Sequence, residues 1–171
     1  MLFFSNAIAS HRLTFTRLSD CMEHLTLVAT WTEGAWGYIR NKGVEARKEI
    51  IREFSDQLYV GFLDTPGGRQ PVAMFALHDH AFHADLRAGS SRLPRVLELM
   101  YVYVDKDYRG LGFARQIVNE AKRLTREAGA SLILLDTLRP DLTVMYEKEN
   151  AVAVCEGRLF TEPTELMYMR V

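Results

Sequence analysis

Cysteine is scarce in this sequence, which excludes a disulfide scaffold. Cys21 and Cys155 are the two cysteines among 171 residues and lie far apart, which fits a reducing compartment. An excess of one charge is missing too. With 21 basic and 22 acidic residues the net charge is -1, so nothing announces nucleic acid or another polyanion as a partner. No stretch approaches the ~20 apolar residues needed to span a bilayer. The apolar start MLFFSNAIAS lacks the basic residues and hydrophobic length of a signal peptide. These absences predict a cytoplasmic protein without a membrane partner, or one made in a cytoplasm and delivered by a route the sequence hides. Repeats, low-complexity tracts and interdomain linkers are absent as well. Residues 1–171, with 48% hydrophobic and 25% charged residues, are expected to form a single soluble domain.

What is present centres on Arg95 to Gly129. From Val96 to Val104 Glu98 is the one charge in a run rich in β-branched and aromatic residues, which predicts a strand covered on both faces. Arg109-Gly110-Leu111-Gly112 follows. Phe113, Ala114, Ile117, Val118, Ala121, Leu124 and Ala128 then recur at helical spacing, with Gly129 as a natural stop. A helix beginning in small residues offers unpaired backbone N–H groups and the positive end of its dipole to an anion. Gly110 and Gly112 keep side chains away from such a guest, and Arg109 and Arg115 add positive charge; a pyrophosphate fits. Glycines before a helix also serve plain packing. Two other glycine motifs are excluded. The dinucleotide fingerprint needs a small residue where Arg115 stands, and a P-loop ends in Gly-Lys-Ser/Thr where this turn ends in Phe-Ala-Arg.

Arg109, Gly112 and Ala114, spaced as Arg/Gln-x-x-Gly-x-Gly/Ala directly after a strand ending Tyr-Val-Tyr-Val-Asp, resemble the acetyl-CoA signature of GNAT-type N-acetyltransferases. The resemblance extends through nearly the whole chain in element order. It implies an α/β (α+β) fold of the GNAT type: a mixed, mostly antiparallel sheet of six to seven strands, splayed between the fourth and fifth, flanked by about four helices. It implies acetyl-CoA as co-substrate and no metal. The pantetheine arm would pair with the backbone of Val102, Tyr103 and Val104, and the pyrophosphate would sit on Arg109, Gly110, Leu111, Gly112, Phe113, Ala114 and Arg115.

The rest of the chain fits that order. Arg12 to Leu18 alternates as a first strand. Ser19 or Asp20, with Glu23 in capping-box spacing, is expected to open a helix carrying Met22, Leu25, Val28 and Ala29 and ending near Trp31. Thr30 to Gly43 holds Trp31, Trp36 and Tyr38 between glycines: either a lid over the core or a wall of a ligand site, and in the family the acceptor-lining segment. Val44 to Phe54 is a second helix; Leu58 to Leu63 and Pro71 to His78 are strands joined by a turn. Residues 79–94 form either longer strands or a flap beside the site. Its neighbourhood holds His78, His80 and His83, which read as solvated loop histidines, as substrate contacts or, lacking a fourth ligand, as a poor metal site. Ser131 to Thr137 is a fifth strand, Asp141 caps a helix through Tyr146 to Glu149, and Val152 to Phe160 and Glu165 to Arg170 are the last strands.

Amine acetylation needs a base, because an alkyl ammonium has a pKa of roughly 10. Glu98, the single acid in an apolar strand, is the candidate, acting through a water, and burial would raise its pKa. The histone-acetylating members of the family place a glutamate at the same offset. The plainer reading pairs Glu98 with Arg95 or turns it to solvent. Tyr146 is the candidate acid for the thiolate, because Val144 to Lys148 resembles the family's L-Y-E-K-L-G-F; a tyrosine there is otherwise a core or rim residue. Two positions depart from the family. Arg139 stands where Asn is common, and Glu149-Asn150-Ala151 replaces Leu-Gly-Phe.

The expectation is an N-acetyltransferase working by direct transfer in a ternary complex on a small-molecule or peptide amine, as monomer or homodimer. Neither cysteine lies in the central motif to carry a covalent acetyl. The alternative is a non-catalytic acyl-CoA-binding module of the same fold. Few acids near Trp31, Trp36 and Tyr38 argue against a polycationic acceptor, although Asp79 and Asp85 could supply charge.

Overall fold

The computed structural model describes residues 11–38, 41–89, 93–138, 140–159 and 161–171. A seven-stranded sheet runs in the order β1-β2-β3-β4-β5-β7-β6. Its strands are β1 (Leu13–Arg17), β2 (Leu58–Thr65), β3 (Gly68–Asp79), β4 (Val96–Val104), β5 (Leu132–Thr137), β6 (Val152–Leu159) and β7 (Glu162–Arg170). Among these strands only β4 and β5 pair in parallel. This is the GNAT fold. Among the described residues five α-helices accompany the sheet, one more than the sequence suggests: α1 (Leu25–Trp36), α2 (Val44–Glu53), α3 (Ala81–Ala88), α4 (Phe113–Glu127) and α5 (Pro140–Lys148). No helix among the described residues is long and apolar enough to cross a membrane.

The helices cover both faces. α1 and α2 press Leu25, Val28 and Ile51 onto Val60, Phe62 and Met74. On the other face α4 packs Phe113, Ile117, Val118 and Ala121 against Phe75, Leu97 and Ile133, joined by Tyr146 of α5. The periodicity of α4 explains this. Its apolar residues recur every three or four positions, while its outer face carries Arg123 in ion pairs with Glu120 and Glu127. Gly129, at φ 71°, ends it as the sequence predicts.

Two local expectations fail. The Ser19/Asp20 capping box does not open α1. Residues 18–20 and 22–24 form two short 3-10 turns instead, neither with a side-chain cap, and the α-helix starts at Leu25. Leu18 and Cys21 are buried at 0% and 5% exposure, so packing of these two side chains dictates the path ahead of the cap. The helix then continues to Trp36, which makes half of the aromatic connection helical. The second failure is the longer pair of strands expected over residues 79–94: β3 ends at Asp79 and a short helix, α3, follows. At the far end, α5 starts at Pro140, so Asp141 falls within its first turn; Phe160 and Arg139 lie outside the described residues.

One irregularity positions everything that follows. Ala76 pairs with Met100, but Met74 pairs with Tyr103, so β4 spends one extra residue against β3. Tyr101 takes a φ of 51° there. This β-bulge reverses the alternation: Leu97, Leu99, Val102 and Val104 meet the α4 core, while Met100, Tyr101 and Tyr103 all meet the α1/α2 core.

Candidate active site

β4 and β5 separate early. Their ladder pairs Val96 with Leu132, Leu97 with Ile133 and Glu98 with Leu134, and stops. β5 continues along β7 to Thr137, and β4 along β3 to Val104. Between the diverging strands opens a cleft of about 1120 Å³. Its floor is β4 from Leu99 to Val104, one side is β5 and α5, and its far end is the turn leading into α4. Val102, Tyr103 and Val104 therefore expose backbone edge groups to the cleft without a strand partner on that side.

The turn is built for backbone contact. Gly110 and Gly112 have φ of 81° and 80°, the left-handed region where glycine escapes the penalty on side chains. A Cβ at either would meet no atom within 4 Å, so each would project into open space at the cleft mouth. Gly112 is the N-cap of α4, and the first helical bond runs from Gln116 N to Gly112 O at 3.3 Å. The amides of Phe113, Ala114 and Arg115 thus lack a helical acceptor, beside the positive end of the dipole. The arrangement fits a pyrophosphate.

The two arginines are less free than the sequence suggests. Arg109 Nε donates to Val104 O at 3.0 Å, and its Cζ stands 5.7 Å from the Tyr103 ring centroid. Arg115 pairs with Glu149 at 3.0 Å. Of the sequence-predicted cofactor residues, all but Leu111 line the cleft; Leu111 is exposed. Phe113 borders it although the residue as a whole is only 1% exposed, its side chain packing in the α4 core.

Tyr146 lines the cleft from α5 and is only 4% exposed. Burial alone holds its phenol well above the ordinary tyrosine range. The family departures after Lys148 are absorbed locally. Asn150 adopts φ 66°, with Asn150 N bonded to Glu147 O and Ala151 N to Tyr146 O, both at 2.9 Å. That is a Schellman ending with asparagine in glycine's usual place. Glu149 takes up the Arg115 pair, and Ala151 is buried.

The opposite wall is aromatic. Trp31, Trp36 and Tyr38 all line the cleft, from buried through half-buried to 63% exposed. Trp31 lies 5.3 Å from Tyr103, and Trp36 meets Tyr101 edge-on at 5.3 Å and 77°. The connection beyond α1 is pinned by Glu33. One of its oxygens accepts from the amides of Lys42 and Gly43 at 3.1 and 2.9 Å, and the other from Arg47 Nε at 2.7 Å. The Arg47 bond and those amides hold the Glu33 carboxyl below its usual range.

A sequence model of the Acetyltransferase (GNAT) family matches residues 22–154. The chain belongs to this family of acyltransferase enzymes. No curated protein matches the sequence. Among solved structures, a chain of the NatC complex bound to Gag peptide and CoA is 11% identical with a TM-score of 0.70, covering 94% of this chain and 99% of its own. Ard1 from Thermoplasma volcanium is 13% identical with a TM-score of 0.65, over 93% and 97%. A spermidine N-acetyltransferase chimera of Vibrio cholerae SpeG and hSSAT is 14% identical with a TM-score of 0.65, over 92% and 94%. At these identities the likeness is one of fold.

In this GNAT acetyltransferase Glu98 stands apart from the other predicted residues. It does not line the cleft. Nor does it pair with Arg95, which makes two bonds of 2.7 and 2.6 Å to Asp79 and holds that carboxyl below its usual range. Glu98 instead faces its cross-strand neighbour His78, Oε2 to Nε2 at 3.9 Å. No group of His, Cys, Asp and Glu among the described residues is arranged to hold a metal, and the side chain of His83 lies outside them. Sequence reasoning missed the bulge at Tyr101. β4–β3 register, which a single sequence does not reveal, is what brings His78 to Glu98.

Proposed function

We propose that this acetyltransferase moves the acetyl group of acetyl-CoA onto a primary amine by direct transfer. The observation that carries this reading is the splay itself: a cleft that begins where the β4–β5 ladder ends and runs to the glycine-capped N-terminus of α4. The edge of Val102 to Val104 would hold the pantetheine arm, and the amides of residues 113–115 the pyrophosphate. A backbone N–H at the β4 bulge would stabilise the oxyanion that develops on the thioester carbonyl. The amine nitrogen bonds the carbonyl carbon, the C–S bond breaks, and the sulfur takes a proton.

Tyr146 is the proposed donor to that sulfur. Like an ordinary tyrosine it is protonated at neutral pH, and burial makes it a weaker acid still. Glu98, off the cleft wall, would receive the amine's proton through a water. The acceptor is a small-molecule or peptide amine. The Arg95 pair removes Asp79 from the acids that a polyamine would use.

The test is calorimetric titration with acetyl-CoA and with CoA, followed by thiol release with a panel of amines. Binding of both, lost on Gly112→Val, and thiol release that depends on an amine support the reading. Binding without transfer to any amine would favour a non-catalytic module instead, and absence of binding would remove the co-substrate.

A further inference from the structure

A second cavity, of about 220 Å³, lies beside the cleft, lined by Phe54, Gln57, Ala76, His78, Met100 and Tyr101. Met100 and Tyr101 line both spaces, so the bulged segment of β4 is their shared wall. Tyr101 is held in a conformation that a non-glycine residue rarely adopts, φ 51°. Its ring is fixed by stacking on Phe54 at 5.9 Å and 9° and by the Trp36 edge. Backbone strain that the surrounding packing sustains concentrates at functional sites. Here it turns an aromatic ring into the partition between two cavities.

We propose that this cavity is the acceptor subsite, and that it takes a compact, uncharged, apolar group carried close to the reacting amine. The proposal rests on the N-acetyltransferase reading above and gives it a substrate class. Size sets one limit. At roughly 30 Å³ per water-sized unit, the cavity holds about seven heavy atoms, enough for a branched aliphatic or a benzyl group. Chemistry sets the other. The walls are a phenyl ring, a methyl, a thioether and a phenol, with the Gln57 carboxamide and an imidazole as the polar members, and no acidic side chain is among them. Its imidazole, His78, is engaged: Nδ1 lies 2.9 Å from Asp79 O, and Nε2 lies against Met100 Sδ and 3.9 Å from Glu98 Oε2, which is not part of the lining. A second ammonium placed in the cavity would lose water without an anionic partner in the lining, because His78 stands between the cavity and Glu98. An apolar group gains by the same burial.

The experiment measures kcat/KM by thiol release from acetyl-CoA across two graded acceptor series. One runs from ethylamine through butylamine and isopentylamine to phenethylamine and naphthylethylamine. The other runs from glycinamide through alaninamide and leucinamide to phenylalaninamide, with lysinamide as the charged control. The expected result is a rise of about three- to fourfold per added methylene, a fall beyond about seven heavy atoms, and discrimination against lysinamide. The series with the higher values tells a small free amine from a peptide N-terminus.

Ala76→Leu fills the cavity from β3, and Gln57→Trp covers its exposed rim without touching the core. Each is expected to flatten the size dependence by about tenfold at leucinamide or isopentylamine while acetyl-CoA affinity holds. Should Ala76→Leu fail to fold, Gln57→Trp decides alone. Transfer without size dependence in the wild type, or an unchanged slope in a folded variant, overturns the subsite and leaves the N-acetyltransferase reading standing. Transfer to no amine overturns both.

Discussion

The two ends of the cleft are made of different material. At the α4 end, the turn from Arg109 to Arg115 presents glycines and backbone amides, and its two arginines are engaged by Val104 O and by Glu149. At the other end, Trp31, Trp36, Tyr101 and Tyr103 present side chains held by one another, on a connection pinned by the Glu33 clamp. A backbone-built site tolerates variation in its side chains but not in its φ angles. A side-chain-built site tolerates backbone drift less than it tolerates exchange of one ring for another. The same protein can therefore keep its co-substrate while the acceptor changes.

The largest break in this contrast is Gly112→Val. A side chain at φ 80° costs about 1–2 kcal/mol for an ordinary residue and more for a β-branched one, and its Cβ would enter the space at the cleft mouth. Acetyl-CoA affinity should fall at least about 30-fold by calorimetry. An unchanged affinity would show that the turn is not where the pyrophosphate binds.

Next in size is Tyr146→Phe, which removes a hydroxyl and leaves the packing of the ring. If Tyr146 donates to the leaving sulfur, kcat should fall on the order of 10- to 100-fold, with acetyl-CoA affinity within about twofold. Equal losses in both would make it a binding residue. The same variant has a pH signature. Burial raises the folded-state pKa above the unfolded value of about 10. The neutral phenol therefore favours the fold fully below pH ~10, and that contribution is lost as pH rises toward the folded value. Tyr146→Phe should lessen the alkaline fall in stability.

Glu33→Gln tests the aromatic end and is expected to do less. It breaks the Arg47 pair and weakens the hold on the Lys42 and Gly43 amides, so KM for the amine should rise up to about tenfold while acetyl-CoA affinity holds. The depressed Glu33 pKa fixes the sign of its pH dependence. Its contribution is present above the unfolded value of about 4.3 and is lost as pH falls through the folded value. Thermal melts from pH 7 down to pH 3 should lose more stability in the wild type than in Glu33→Gln. Parallel curves would mean that the clamp does not hold the loop in solution.

The same contrast explains what could be read from the sequence. β4 and α4 were legible almost to the residue, because a continuous apolar run and glycines at fixed spacing are local signals of buried strand, turn and helix start. Tyr146 was legible through its neighbours, even though Asn150 and Ala151 depart from the family, because asparagine also serves at φ 66°. The bulge at Tyr101 was not legible. It exists in the register between β3 and β4, and no residue in LMYVYV marks it. The late start of α1 was hidden for a related reason, since Leu18 and Cys21 pack before a cap can form. α3, at eight residues, spans too few turns for periodicity to separate it from loop. Glu98 is visible in the sequence as the one acid of β4, but its neighbour His78 comes from pairing across strands.

The finest test separates the two properties that glycine contributes to the turn. Gly110 shares the left-handed φ of Gly112, yet it lies two residues before that cap and does not itself close the helix. Asparagine adopts this region with little penalty, whereas alanine pays the steric cost without adding bulk beyond Cβ. If conformation is what Gly110 supplies, Gly110→Asn should stay within about twofold of wild type in acetyl-CoA affinity, and Gly110→Ala should lose about three- to tenfold. If open space is what it supplies, the order reverses, because asparagine is the larger side chain. Apart from its own chain neighbours, a Cβ at Gly110 or Gly112 would meet no atom within 4 Å, so a loss caused by the Cβ itself would come from the bound co-substrate. Thermal melts without acetyl-CoA should then rank Gly110→Ala below Gly110→Asn in both cases, and only the affinities would tell conformation from space.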